Sequence, residues 1–173
     1  PSGVLAVLDE AYADFADDPD FPSGLDLVKE GRRPLVLLKT FSKIHGMAGL
    51  RLGYAVADEE LVAAMNKVRD PFNASGVAQA AGIAALGASG HIERSKELVR
   101  AGRRRFYAEL DRLGIGYLPT QANFILIDLE RDSRPLYEFM LRGGLIVRPT
   151  HSFGLPTRIR VTFGLPEQND RFF

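Results

Sequence analysis

The sequence of 173 residues contains no cysteine and carries no net charge. Without cysteine there is neither a disulfide framework nor a thiolate metal site. The 22 basic and 22 acidic side chains balance, so we expect neither nucleic acid nor an anionic membrane surface as a partner. The three histidines, His45, His91 and His151, lie too far apart in the sequence for the usual spacing of metal ligands, and we expect no metal.

Long apolar runs are also absent. No stretch approaches the roughly 18 apolar residues that a membrane-spanning helix requires, and no secretory signal opens the sequence. We therefore expect a soluble protein of the cytoplasm that does not bind membranes. The length is enough for one domain, or for one domain and part of another, with a substantial hydrophobic core.

The most informative stretch is Thr40–Tyr54, with the sequence TFSKIHGMAGLRLGY, which directly follows an apolar run. Lys43 stands next to Ser42, and Arg51 follows in the glycine-containing part of the stretch. The lysine is a primary amine that can condense with an aldehyde. The hydroxyl groups of Thr40 and Ser42 and the guanidinium group of Arg51 are suited to binding a phosphate. The stretch therefore predicts a site for a phosphorylated aldehyde.

Helices and strands are predicted to alternate along the chain, as in an α/β fold followed by a small α+β unit. The predicted strands cover residues 4–8, 35–38, 52–56, 123–129, 145–147 and 158–163. The predicted helices cover residues 25–30, 58–68, 77–86, 92–113 and 135–142, and an acidic surface loop is expected over 14–20. The first two strands have the composition of buried parallel strands. Ligands bind such sheets at the carboxyl ends of the strands, where Asp9, Tyr12 and Lys43 are expected.

The stretch around Lys43 resembles the cofactor-lysine motif of the fold-type I pyridoxal-phosphate aminotransferases. More narrowly, it is similar to that of the histidinol-phosphate aminotransferases, whose pattern T-x-S-K, spacer, A-G-L-R-x-G-Y is matched without a gap by residues 40–54. Three other segments also resemble this family. They are P-F-N at 71–73, A-N-F-I-L at 122–126, and G-L-I-V-R-P followed by F-G-L-P within 144–156. The resemblance therefore extends over almost the whole chain.

The resemblance implies that residues 1–90 are the later part of a large cofactor-binding domain with a mostly parallel sheet. It implies that residues 91–173 are a connecting helix and a small α+β domain, and that the chain is incomplete at both ends. The family's earlier phosphate-binding turn, ring-stacking aromatic and asparagine are not identifiable in this sequence. We therefore expect the chain to be a C-terminal portion that is inactive when expressed alone.

The resemblance also assigns roles to the site residues. Lys43 would attach pyridoxal 5′-phosphate covalently and then move protons, although a lone lysine at a strand end is more often simply solvated. Asp9 would keep the proton on the pyridine nitrogen, unless it only caps a helix. Tyr12 would hydrogen-bond the cofactor's 3′ oxygen.

The remaining assignments concern the phosphate and the substrate. Thr40, Ser42 and Arg51 would bind the cofactor's phosphate. Arg160, in the segment R-V-T-F-G, would bind the carboxylate of the amino-acid or 2-oxo-acid substrate through a bidentate pair. The alternative for Arg160 is a surface arginine, a role for which Arg158 is the candidate.

Four further residues receive no chemical role from the sequence. His45 is expected to be only a spacer contact within the lysine motif, and no role is assigned to Asn73, Asn123 or Arg148.

The expected reaction is amino transfer between glutamate or 2-oxoglutarate and histidinol phosphate or imidazole-acetol phosphate, in histidine biosynthesis, by a homodimer. Within the same superfamily, an aromatic-amino-acid aminotransferase or a threonine-phosphate decarboxylase would keep the same cofactor residues. Outside enzymes, the alternatives are a non-catalytic aminotransferase-like sensor module and a structural piece without cofactor.

Overall fold

The computed structural model describes residues 3–173, and the chain divides into two compact units, Pro1–Glu93 and Arg94–Phe173. The strands are β1 Ala6–Asp9, β2 Leu35–Thr40, β3 Gly53–Ala57, β4 Gly116–Leu118, β5 Phe124–Asp128, β6 Arg148–Pro149 and β7 Arg158–Thr162. The helices are α1 Gly24–Lys29, α2 Glu59–Val68, α3 Gly76–Leu86, α4 Ser89–Leu113, α5 Arg134–Arg142 and α6 Pro166–Phe172. None of these helices is both long and apolar enough to cross a bilayer.

The first unit is built on a three-stranded sheet with the order β1-β2-β3. β1 runs parallel to β2, with Asp9 opposite Leu38, whereas β3 runs antiparallel to β2, with Thr40 opposite Gly53. β3 can return antiparallel because the loop over residues 41–52 contains one short 3-10 turn and no crossover helix. The carboxyl ends of β1 and β2 and the start of β3 therefore lie at the same end of the sheet.

Short polar side chains set the starts of three helices in this unit, as expected for residues at the N-cap position. The side chain of Ser23 accepts from the backbone N–H of the third residue of α1, at 3.3 Å. Asp58 and Ser75 do the same for α2 and α3, at 3.0 and 3.1 Å. The predicted cap at Asp58 is thus confirmed.

The core of the first unit lies along β2, whose residues Leu35, Val36 and Leu37 are all buried. β1 differs from its prediction, because it begins at Ala6 and is exposed rather than buried, with Val7 55% exposed. The reason is its place at the edge of this sheet, where only β2 lies beside it.

The second unit contains an antiparallel sheet with the order β4-β5-β7-β6. Alternate residues of its two central strands point to one face, as strand geometry requires. The buried members of this face are Ile125, Ile127, Ile159 and Val161. The buried side chains of α4 include Val99, Phe106 and Leu110, and the ring of Phe106 lies 5.3 Å from that of Phe163.

The prediction of a strand over residues 145–147 is wrong. The strand is β6, Arg148–Pro149, and it begins only after that apolar run. The backbone N–H of Leu145 donates to the carbonyl of Met140 and closes the end of α5, so this part of the run completes the helix terminus instead of pairing with β7.

Replacing Gly53 by alanine is expected to destabilise the first unit. A Cβ atom at this position would lie 2.9 Å from the carbonyl oxygen of Lys39, which belongs to the neighbouring strand and cannot move without disturbing the sheet. We expect urea denaturation to show a loss of about 1–3 kcal/mol in the free energy of unfolding, as for overpacked interiors.

Gly76→Ala is the matched control. Gly76 is the first residue of α3, and a Cβ atom added there would meet no such heavy atom within 4 Å, so the free energy of unfolding should stay within about 0.5 kcal/mol or rise. Equal losses of unfolding free energy in the two variants would show that the close approach to Lys39 is not the reason that Gly53→Ala is destabilising.

Candidate active site

The candidate site of the first unit lies where β1 and β2 end and β3 begins. The turn after β1 carries Asp9 and Tyr12, and the loop over residues 41–52 carries Lys43. The structure brings Lys43 and Tyr12 together: Lys43 Nζ lies 5.0 Å from the centre of the Tyr12 ring. An ammonium group at this distance is attracted by the face of the ring, and both side chains are half-buried.

Asp9 is exposed at the end of β1. Its Oδ1 atom accepts a hydrogen bond from the backbone N–H of Ala11 at 3.0 Å, so the side chain does stabilise its own turn. A carboxylate has two oxygens and several acceptor positions, so this bond does not exhaust it. Asp9 can therefore both stabilise the turn and bind a positively charged N–H group.

The hydroxyl group of Thr40 is used within the lysine loop. Its Oγ1 accepts from the backbone N–H of Ser42 at 3.0 Å and donates to the carbonyl of Leu52 at 3.4 Å. Thr40 thus joins the two ends of the loop that carries Lys43. Because the Thr40 hydroxyl already makes these two bonds, the half-buried Ser42 is the better candidate to offer a hydroxyl to a ligand.

Arg51 has an unusual backbone conformation. Its φ angle is +52°, in the left-handed region that arginine rarely adopts. Its Nη1 donates to the carbonyl of Ala48 at 2.9 Å, and the side chain is exposed. Conformations of this kind cost about 1–3 kcal/mol and concentrate at functional sites. Arginine has five N–H donors, so the bond to Ala48 leaves others to bind an anion.

Two residues to which the sequence assigned no role, Gly82 and His91, contact the lysine loop. A Cβ atom on Gly82 of α3 would lie 2.6 Å from Leu52 Cδ2, so the helix packs closely on the loop. His91 of α4 bonds the carbonyl of Ile44 through Nε2 at 3.0 Å. The ring of His45 lies 4.8 Å from that of Phe41, and no hydrogen-bond partner for its buried Nδ1 occurs within residues 3–173.

A second group that the sequence did not identify adjoins the site residues along the chain. Lys39 of β2 forms ion pairs with Glu10 and Asp14. Burial disfavours the charged form of Lys39, but the hydrogen bonds and negative charges of the two acids outweigh it, so the pKa of Lys39 is raised. The expectation that residues 14–20 are only a solvated loop is therefore wrong for Asp14.

Arg160 belongs to β7, in the second unit. Its guanidinium carbon lies 4.8 Å from the centre of the Phe124 ring, and its buried Nε has no hydrogen-bond partner among the residues that the structure describes. Arg148 of β6 lies directly opposite in the sheet. Like charges placed opposite each other are unfavourable, so this pair is suited to binding an anion between or beside the two side chains.

Arg158 contrasts with its neighbour on β7. Its Nε donates to Asp128 Oδ2 at 2.8 Å. This hydrogen bond is the main reason that the pKa of Asp128 lies below its usual value. Because its charge is already matched by a carboxylate, Arg158 is less suited than Arg160 to binding a substrate.

The groups that lie where β1 and β2 end and β3 begins fit one kind of ligand. An amine and a phenol lie together, and a carboxylate and a guanidinium group occupy the adjoining turn and loop. This set suits an aldehyde that carries a phosphate and a protonated nitrogen.

Comparison with known proteins supports the same interpretation. The model of the family "aminotransferase class I and II" matches residues 2–173. The chain is 45% identical to the histidinol-phosphate aminotransferase of Moorella thermoacetica and 48% identical to that of Symbiobacterium thermophilum. These matches cover 99% of this chain but only 45% and 47% of the two relatives. The chain thus spans about half the length of the curated relatives that it matches.

A solved structure is similar over the same region. The histidinol-phosphate aminotransferase of Sinorhizobium meliloti, in complex with pyridoxal 5′-phosphate, superposes with a TM-score of 0.84 at 27% sequence identity. The superposition covers 98% of this chain and 47% of that protein.

Proposed function

The chain belongs to the class I and II aminotransferases, and on this basis we propose that the native protein transfers an amino group between glutamate and imidazole-acetol phosphate. The observation that carries the proposal is the contact of Lys43 with Tyr12. It lies at the end of the sheet where Asp9 and Arg51 also lie. The names of the curated relatives support the choice of substrate.

Pyridoxal 5′-phosphate is the cofactor of this family, and when bound it supplies a carbonyl carbon for the amine and a ring that accepts electrons. Lys43 Nζ would hold that carbon and, once released, take the proton from the α-carbon of the substrate. Tyr12 Oη would donate a hydrogen bond to the ring oxygen. Asp9 would keep a proton on the ring nitrogen because a neighbouring carboxylate favours the charged form.

The phosphate would be bound by Arg51 and Ser42. Thr40 would contribute mainly by joining the ends of the loop, since its hydroxyl group already bonds Ser42 and Leu52. In the second unit, Arg160 would bind the carboxylate of glutamate or 2-oxoglutarate. Two observations support this role: its Nε has no hydrogen-bond partner within residues 3–173, and its guanidinium group lies over the Phe124 ring.

A homodimer in the cytoplasm is part of the proposal. Large apolar side chains of the first unit are exposed, including Phe72, which is 99% exposed, and Ile83, which is 75% exposed. Side chains of this size and exposure present less apolar surface to water when other protein surface covers them. A second subunit or further protein would cover them in the native assembly.

The substrate assignment is tested by mixing the native protein and pyridoxal 5′-phosphate with single amino donors and following the cofactor's absorbance. We expect histidinol phosphate to react with a specificity constant at least about a hundredfold above that of phenylalanine, because a site with polar contacts rejects a compound that cannot make them. Release of carbon dioxide from O-phosphothreonine at a comparable rate would instead indicate a decarboxylase. A lack of reaction with every donor would favour a sensor module.

A further inference from the structure

Lys39 stands one residue before Thr40, and its ammonium group is held by two carboxylates. Nζ lies 2.9 Å from Asp14 Oδ1 and 3.3 Å from Glu10 Oε2. The side chains of Lys39 and Glu10 are only 17% and 14% exposed, whereas that of Asp14 is 36% exposed. Ion pairs that are largely withdrawn from water are screened less by salt than exposed pairs, so these contacts restrain the chain more firmly.

The second oxygen of Glu10 extends the network to a third element. Oε1 accepts from the backbone N–H of Gly24, the first residue of α1, at 2.6 Å. A side chain at Gly24 would block this contact, because its Cβ would lie 2.5 Å from Oε1. Through Lys39 and Glu10, the end of β1, the start of α1 and β2 are therefore joined.

The order of residues in the turn gives this network its significance. Glu10 directly follows Asp9, and Tyr12 lies between the two acids that bind Lys39. Both sides of the short segment that presents Tyr12 to Lys43 are thus fixed to the same ammonium group on β2. Loss of that group would leave two acids facing each other without a counter-charge, and the segment would shift or loosen.

We infer that Lys39 is a positioning residue, whose two ion pairs hold the turn after β1 so that Tyr12 lies against the amine of Lys43 and Asp9 keeps its place at the end of β1. The use of this turn by a cofactor rests on the proposed function. The restraint of the turn by Lys39 does not.

The restraint is tested by hydrogen exchange of the native protein, measured by mass spectrometry, in wild type, Lys39→Met and Lys39→Arg. Because hydrogen bonds to charged groups are among the stronger ones, exchange in the segment 9–15 should be about tenfold faster or more in Lys39→Met. Lys39→Arg keeps the positive charge and should remain close to wild type. Exchange in α2 should be unchanged in both variants. Unchanged exchange of 9–15 in Lys39→Met would overturn the inference.

Two further variants sharpen the comparison. Lys29→Met removes another lysine that pairs with an acid, Asp26, but both side chains of that pair are about two-thirds exposed, and exchange of 9–15 should not change. Asp14→Asn removes only the shorter of the two pairs of Lys39. It should accelerate exchange in the same direction by a smaller factor, which keeps the test valid if Lys39→Met does not fold.

Pyridoxal 5′-phosphate is the probe for the consequence at the site. Well below the melting temperature, Lys39→Met should raise its Kd by about tenfold and change the absorbance spectrum of the bound form, because Tyr12 and Asp9 are displaced. Lys39→Arg should restore both properties, and Lys29→Met should leave both unchanged. A lower melting temperature with unchanged Kd and spectrum would reduce Lys39 to a structural residue. If exchange of the segment 9–15 accelerates in Lys39→Met as expected, but pyridoxal 5′-phosphate does not attach to Lys43 in wild type, the proposed function alone is refuted.

Discussion

Lys43→Ala is expected to abolish covalent attachment of pyridoxal 5′-phosphate to the native protein and to slow amino transfer by a factor of about 10³ or more. Under the proposed function the variant would lose both the amine for the aldehyde and the base for the proton, and general acid–base catalysis alone contributes about 10²–10⁴ in rate. The loop should keep its shape. The backbone carbonyl of residue 43 still accepts from Gly46 at 2.9 Å, and the hydroxyl bonds of Thr40 are unaffected.

The measurement combines a single-turnover reaction with histidinol phosphate and mass spectrometry of the borohydride-reduced protein. Lys29→Ala is the control, since Lys29 is an exposed residue of α1 that pairs only with Asp26 among the contacts seen. Its rate and its labelling should match wild type. A Lys43→Ala protein that retains the label, or that reacts within about tenfold of wild type, would remove Lys43 from the centre of the site.

Asp9→Asn is expected to retain attachment of the cofactor but to slow proton removal from the substrate by about a hundredfold or more. The substitution deletes the negative charge that would favour a protonated ring nitrogen. It retains an oxygen that can accept from the backbone N–H of Ala11, the bond that Asp9 makes at 3.0 Å. The turn should therefore remain folded, and the loss should appear in the stopped-flow rate of the half-reaction rather than in stability.

Asp18→Asn provides the matched control for Asp9. Asp18 makes the same kind of bond, from Asp20 N–H to Oδ1 at 2.9 Å, in an exposed part of the following loop. Its substitution removes the same charge and should leave the rate unchanged. If Asp9→Asn reacts as fast as Asp18→Asn, the carboxylate of Asp9 has only the turn-stabilising role.

The features that could be predicted from the sequence are those that depend on residues close together in the chain. The N-cap at Asp58, the buried strand β2 and the placement of Lys43 after it follow from local patterns. The family was also identified from local motifs, and the family model matches the region that they span. The assignment of the two units to a cofactor-binding domain and a small domain stays a prediction, as do the roles of the individual site residues.

Features that depend on distant contacts were not predicted. The exposure of β1 depends on which strands lie beside it. The bond from His91 to Ile44 joins residues 47 positions apart, and Lys39 meets Asp14 across 25 positions. Neither pair forms a pattern in the sequence. For Lys39 and Asp14, residue type is no guide either, because a lysine on a strand and an acid in a loop are both usually exposed.

The central claim, that Lys43 is the lysine that binds pyridoxal 5′-phosphate, is tested most directly by locating the attached cofactor. The native wild-type protein is loaded with pyridoxal 5′-phosphate, reduced with borohydride and digested, and the labelled peptide is sequenced by mass spectrometry. We predict one label, on the lysine of the sequence TFSK. A label on Lys39 or Lys29, or one distributed over several lysines, would contradict the claim.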